Sequence, residues 1–156
     1  MRRVVVVALL AVIAAAGPAH AAGSEPEPAA KPRGSGDYDI GKAAIEKGDF
    51  AGAITALKRA TASDPKNANA FNLLGFATRK SGDARGSLQH YQQALAIDPK
   101  HIGAHEYIGE AYLMLGDLAQ AQQHLARIDQ LCVFGCKEHR MLKNAIAAYQ
   151  KGTKPK

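Results

Sequence analysis

The sequence predicts an all-α fold, a stack of helix pairs, from three observations. Three blocks, Gly34–Asn67, Ala68–His101 and Ile102 onward, can be laid over one another at a spacing of 34 residues. A Gly-Asp pair falls at the same place in each, at Gly48-Asp49, Gly82-Asp83 and Gly116-Asp117. Apolar residues recur at i, i+3 and i+4 on both sides of those pairs, and nothing alternates with the period of a strand.

Taken in order, the first element is a targeting segment. Arg2 and Arg3 precede the apolar run Val4–Ala16, and Gly17-Pro18 breaks it before Ala19-His20-Ala21. That order reads as a secretory signal peptide over residues 1–21, cleaved after Ala21. The run is shorter than the ~20 apolar residues a helix needs to cross a bilayer, so no stable membrane insertion is expected after cleavage. A periplasmic or secreted protein in an oxidising compartment is the expectation. Residues 22–36, rich in Pro, Gly and Glu, carry no apolar periodicity and read as a disordered linker, with the folded part starting near Asp37.

Blocks 37–67, 68–101 and 102–131 each divide into a helix A and a helix B, with glycine supplying a left-handed exit and aspartate capping the next helix. In the middle block Phe71, Leu74, Gly75 and Thr78 share one face of helix A, and Leu88, Tyr91, Ala94 and Leu95 one face of helix B. Gly41, Gly75 and Gly109, with Ala53, Ser87 and Ala121 in the B helices, let the paired helices approach closely. Pro65 and Pro99 close the first two blocks. Residues 132–151 hold a turn and a seventh helix, with Met141, Leu142, Ala145, Ile146 and Tyr149 on its apolar side, expected to cap the open end. A basic tail, residues 152–156, follows.

The pattern resembles the tetratricopeptide repeat, as a small secreted bacterial-type member. The middle block carries the likeness through Phe71, Leu74-Gly75, Tyr91, Ala94 and Pro99, the first through Ile40-Gly41, Ala53, Leu57, Ala60 and Pro65, and the third through Ile108-Gly109, Tyr112, Ala121 and Leu125. Asp37 and His105 replace the first aromatic, Ala44 and Thr78 the second, and the third block lacks its closing proline. The resemblance implies a right-handed superhelical stack of three helix pairs plus the capping helix, with the A helices lining a concave groove. Carried over position by position, it places Tyr38, Lys42, Asn72, Phe76, Arg79, Glu106, Glu110 and Met114 in that groove. Such a groove is basic and amidic at one end and acidic at the other. It would repel the free carboxylate that clamp-type repeats grip, and it suits a partner segment of mixed charge.

Both cysteines lie in Leu131-Cys132-Val133-Phe134-Gly135-Cys136, where the third block should end in proline. In an oxidising compartment the economical reading is a disulfide pinning the turn, with Gly135 giving the bend. Cys132, Cys136 and His139, with Met141 beyond, also form a soft ligand set suited to copper, although Met141 is expected to face the core. Zinc would need two more ligands, with His124 and Glu138 nearby, and a redox-active pair is the remaining alternative.

The 20 Lys and Arg exceed the 14 Asp and Glu by 6, and loss of Arg2 and Arg3 leaves +4. The excess sits after Cys136, in Lys137, Arg140, Lys143, Lys151, Lys154 and Lys156 against Glu138 alone. A solvated helix end and frayed terminus is the ordinary reading of that, with contact to an acidic partner or a membrane surface as the alternative, and export argues against nucleic acid as a partner. His90, His101, His105 and His124 are scattered over helix faces, and no phosphate-cradling glycine run is present. No enzyme and no cofactor is therefore expected. Three functions stay open: a scaffold or adaptor holding a protein or peptide partner, a metallochaperone or thiol-redox accessory centred on Cys132, Cys136 and His139, and a self-assembling structural protein of the envelope.

Overall fold

The computed structural model describes residues 33–153, with side chains from Gly36 onward. The expected signal peptide, residues 22–32 of the expected linker and the last three residues lie outside them. Seven helices follow in order: α1 (Arg33–Glu46), α2 (Phe50–Ser63), α3 (Ala68–Lys80), α4 (Ala84–Ile97), α5 (Ile102–Met114), α6 (Leu118–Leu131) and α7 (Lys137–Gln150). Among the described residues there is no strand, and no helix is long and apolar enough to cross a membrane. Helix α1 begins at Arg33, so its first turn takes in the end of the stretch expected to be linker.

The turn chemistry repeats with the sequence. Gly48, Gly82 and Gly116 adopt φ of 75°, 104° and 87°, in the left-handed region where a Cβ is penalised. The following aspartates cap the B helices: Asp49 accepts from the Gly52 amide at 2.9 Å, Asp83 from Gly86 at 2.7 Å and Asp117 from Gln120 at 3.0 Å. Between repeats, Asn67 caps α3 through the Ala70 amide at 3.0 Å. At the same register, His101 caps α5 by accepting from Ala104 on Nδ1 at 3.1 Å, while its Nε2 donates to Asn69 Oδ1 at 3.0 Å.

Each repeat fills its first aromatic position differently. Phe71 keeps the ring; Asp37 instead pairs with Arg59 of α2 at 2.8 Å, and His105 pairs with His124 of α6 at 2.9 Å between Nδ1 atoms. Helix A is thus tied to helix B in the first and third blocks by polar contacts.

The apolar core runs along the stack, from Ala53, Leu57, Leu74 and Ala77 through Tyr91, Ile108 and Ala111 to Leu113, Ala121, Ile128, Leu142 and Ile146. Leu57 of α2 covers Gly41 and Tyr91 of α4 covers Gly75, where a Cβ would stand 2.6 Å from the Tyr91 ring. Gly109 breaks this rule. Its cover is Leu142 of α7, 2.6 Å from where a Cβ would be, and not a side chain of its pair-mate α6. Leu142 follows Ile108 by 34 residues, as Ile108 follows Leu74, so the capping helix continues the register as a further helix A. Leu142 stands over Gly109 and the Tyr149 hydroxyl over Gly116, so the two helices ascend together and α7 runs parallel to α5. Met141, expected on the apolar face, is 38% exposed because Leu142 and Ile146 take the inward positions.

Candidate peptide-binding groove

The A helices carry the groove positions, and the structure divides the eight expected residues into two groups. Lys42 is exposed, and Tyr38, Phe76, Glu110 and Met114 are half-buried. Asn72, Arg79 and Glu106 are 6%, 3% and 1% exposed, and so do not offer free surface.

Arg79 explains the difference. Its Nη2 pairs with Glu110 Oε2 at 2.7 Å, its Nε donates to the Tyr91 hydroxyl at 3.4 Å, and Nη1 approaches Met114 Sδ at 3.9 Å. The guanidinium also lies 5.6 Å and 5.8 Å from the ring centres of Phe76 and Tyr107. Burial opposes its charge, but Tyr91, Glu110 and Glu106 outweigh that and hold it protonated. Arg79 is a tie between the second and third repeats. Burial pushes the phenols of Tyr91 and Tyr107 up, so both remain neutral donors.

Glu106 sits beneath this tie with its Oε1 lacking a donor. Burial raises its carboxyl well above the usual range, the charge of Glu110 adds to the rise, Arg79 opposes it and Glu138 of α7 adds a little more. A neutral Glu106 can donate to Glu110, which leaves Glu110 free to accept from Arg79. Asn72 has no such neighbour: its Oδ1 is buried with no hydrogen-bond partner.

A run of aromatic rings crosses the three repeats. Phe50, Phe76 and Tyr107 follow one another at 6.4 Å and 5.0 Å between centres, and Tyr107 meets Tyr91 at 6.2 Å. Phe50 and Tyr107 were not among the expected site residues. Tyr107 stands next to Glu106, but its neighbours come from other repeats.

The cysteine cluster sits at the far end of the stack. Cys132 and Cys136 are joined by a disulfide, with Cα atoms 5.8 Å apart. No thiolate is left in that state, and His139 turns its Nε2 toward Asp129 at 3.5 Å, beside an open depression of about 360 Å³ between α6 and α7. His124 faces His105, and Glu138 interacts with Glu106, so neither completes a ligand set around the cysteines. Among the described residues no three of His, Cys, Asp and Glu converge as metal ligands.

Two family profiles described as tetratricopeptide repeat match residues 38–102 and 79–131, together more than half of the chain. No curated protein matches the sequence. Solved structures share the fold. The second TPR domain of human RPAP3, in complex with the HSP70 peptide SGPTIEEVD, has a TM-score of 0.68 at 23% identity, over 74% of this chain and 95% of that one. The TPR2B domain of yeast Sti1, in an Hsp70 complex, gives 0.71 at 16% identity over 78% and 98%. The Yersinia enterocolitica type III secretion chaperone SycD, in complex with a peptide of the translocator YopD, gives 0.65 at 18% over 76% and 89%. With the repeat register, the turn chemistry and the helix stack in agreement, the chain belongs to the tetratricopeptide-repeat family.

Proposed function

We propose that this protein is a non-enzymatic scaffold or adaptor of the periplasm or extracellular space, holding a segment of a partner polypeptide along its concave groove. Lys42, Phe76 and Glu110 carry this reading, since they share one register position of the three A helices and each is at least partly exposed. An extended segment laid along that row meets Lys42 at its α1 end. The half-buried rings of Phe76 and Tyr107 offer apolar area to the same segment. The similar human and yeast domains are in complexes with Hsp70 peptides, and SycD with a translocator peptide, which supports peptide capture by this fold. The ligand differs in charge. Lys42 at one end and Glu110 at the other favour a segment of mixed charge over the acidic tail SGPTIEEVD.

Lys42→Glu combined with Phe76→Ala tests the groove, with Gln93→Glu on the exposed side of α4 as control. The groove pair is expected to lower recovery of the co-purified partner at least tenfold on the order of magnitude that truncating one binding anchor gives. Helicity should stay that of the parent. Undiminished recovery with intact helicity would contradict the proposal.

A further inference from the structure

We propose that the ring closed by Cys132 and Cys136 is a membrane-docking tip, which puts Val133 and Phe134 into the interface of an anionic phospholipid bilayer while nearby cations of α7 meet the headgroups. Phe134 is 101% exposed and Val133 79%, whereas the other bulky apolar residues called exposed reach at most 56%. Repeat register makes the placement unusual. The two preceding repeat junctions carry Asp64-Pro65-Lys66 and Asp98-Pro99-Lys100, and the third carries Cys132-Val133-Phe134. A proline-lysine turn has been replaced by two apolar residues held outward.

The ring fixes the apex in advance. The disulfide closes it, Gly135 at φ 79° turns the chain, and the Gly135 amide donates to Cys132 O at 2.9 Å. Docking therefore orders little new chain, and part of the apex backbone is already hydrogen-bonded before it leaves water. Charge complements the apex. Lys137, Arg140 and Lys143 are exposed on the first two turns of α7, and at about 1.5 Å per residue the first two start within roughly 10 Å of the ring. Two acids stand near these three cations, half-buried Glu138 and exposed Asp129, which lies 3.5 Å from His139 Nε2.

A bilayer fits this surface better than a protein pocket. Val133, Phe134 and Gly135 have no hydrogen-bonding side chain with which to specify a partner, and an anionic interface asks only for apolar atoms flanked by cations. The docking is peripheral, since no described helix can span a membrane.

The chain has no tryptophan, so Phe134→Trp places a single reporter at the apex. With vesicles of phosphatidylcholine and phosphatidylglycerol its emission should shift to the blue and be quenched by lipids brominated along the acyl chain. Pure phosphatidylcholine should give no shift. In the reporter background, Lys137→Glu with Arg140→Glu should weaken partition by roughly tenfold or more, and Val133→Ser by roughly tenfold. Binding through the amino-terminal apolar run would leave the reporter unshifted, so the full chain can be used. Vesicle binding with no blue shift, an equal shift on neutral vesicles, or a shift that grows with protein concentration without lipid would each overturn the proposal; the last would indicate contact with a second copy.

Discussion

Two buried titrating groups pull stability in opposite directions with pH. His105 donates from Nε2 to Pro99 O at 3.0 Å, so its Nδ1 is the acceptor and His124 Nδ1 must carry the hydrogen between them. Protonating His105 sets two donors face to face, whereas a proton added to His124 goes to its Nε2 and is opposed by burial and by the neighbouring His105 ring. Burial lowers both, and the His105 ring helps bring His124 to about 4. Arg127 and His101 disfavour charge on His105, while Asp98 and the Pro99 carbonyl favour it. Below the ordinary value of 6.5 the unfolded chain takes up protons that the folded one refuses. Stability is therefore expected to fall as pH drops from about 6.5 toward about 4, by on the order of 2–3 kcal/mol for His124. Glu106 works the other way. Its folded carboxyl stays protonated above the unfolded value of 4.5, so its contribution is lost as pH rises through the neutral range. Urea unfolding across pH 4 to 9 should show a maximum near neutrality. Glu106→Gln, which keeps a neutral donor to Glu110, should be more stable than the parent at pH 8 by at least about 1 kcal/mol and remove the alkaline decline. A parent curve flat between pH 5 and 8 would contradict both assignments.

Among the elements, most boundaries were legible because their signals are local. Gly-Asp exits and the turns after Ser63 and Ile97 depend on a few neighbouring residues, and each stands where the spacing put it. Substitutions at the first aromatic position were legible only as departures, since nothing local pairs Asp37 with Arg59 or His105 with His124. That α7 caps the third repeat was legible in its apolar face, but its closest approach, to α5, was not. Its register was present in Leu142, 34 residues after Ile108, but its closeness to α5 comes from the gap over Gly109. Leu142 is fully buried there, and Leu142→Ala should cost about 2–5 kcal/mol in thermal or denaturant unfolding, more than an exposed change such as Met141→Ala. Equal losses from the two would mean that α7 does not pack as described.

For the molecule as a whole, the stack makes one face of A helices, and the chemistry on that face was only partly readable. Register alone put Arg79 and Glu106 beside the groove. It could not show that Arg79 is consumed by Glu110 and Tyr91, or that Glu106 is buried beneath them. Lys42, Phe76, Glu110 and Met114 stay accessible in some part. The face of A helices thus combines a buried inner layer with a thinner row of partly exposed residues. A photo-cross-linking residue placed at Lys42 in cells, beside one at Gln93 on α4, tests this most directly. Covalent capture of one discrete partner from Lys42 and none from Gln93 is the predicted result. Capture from Gln93 alone, or from neither position, would contradict the claim that this groove holds a polypeptide.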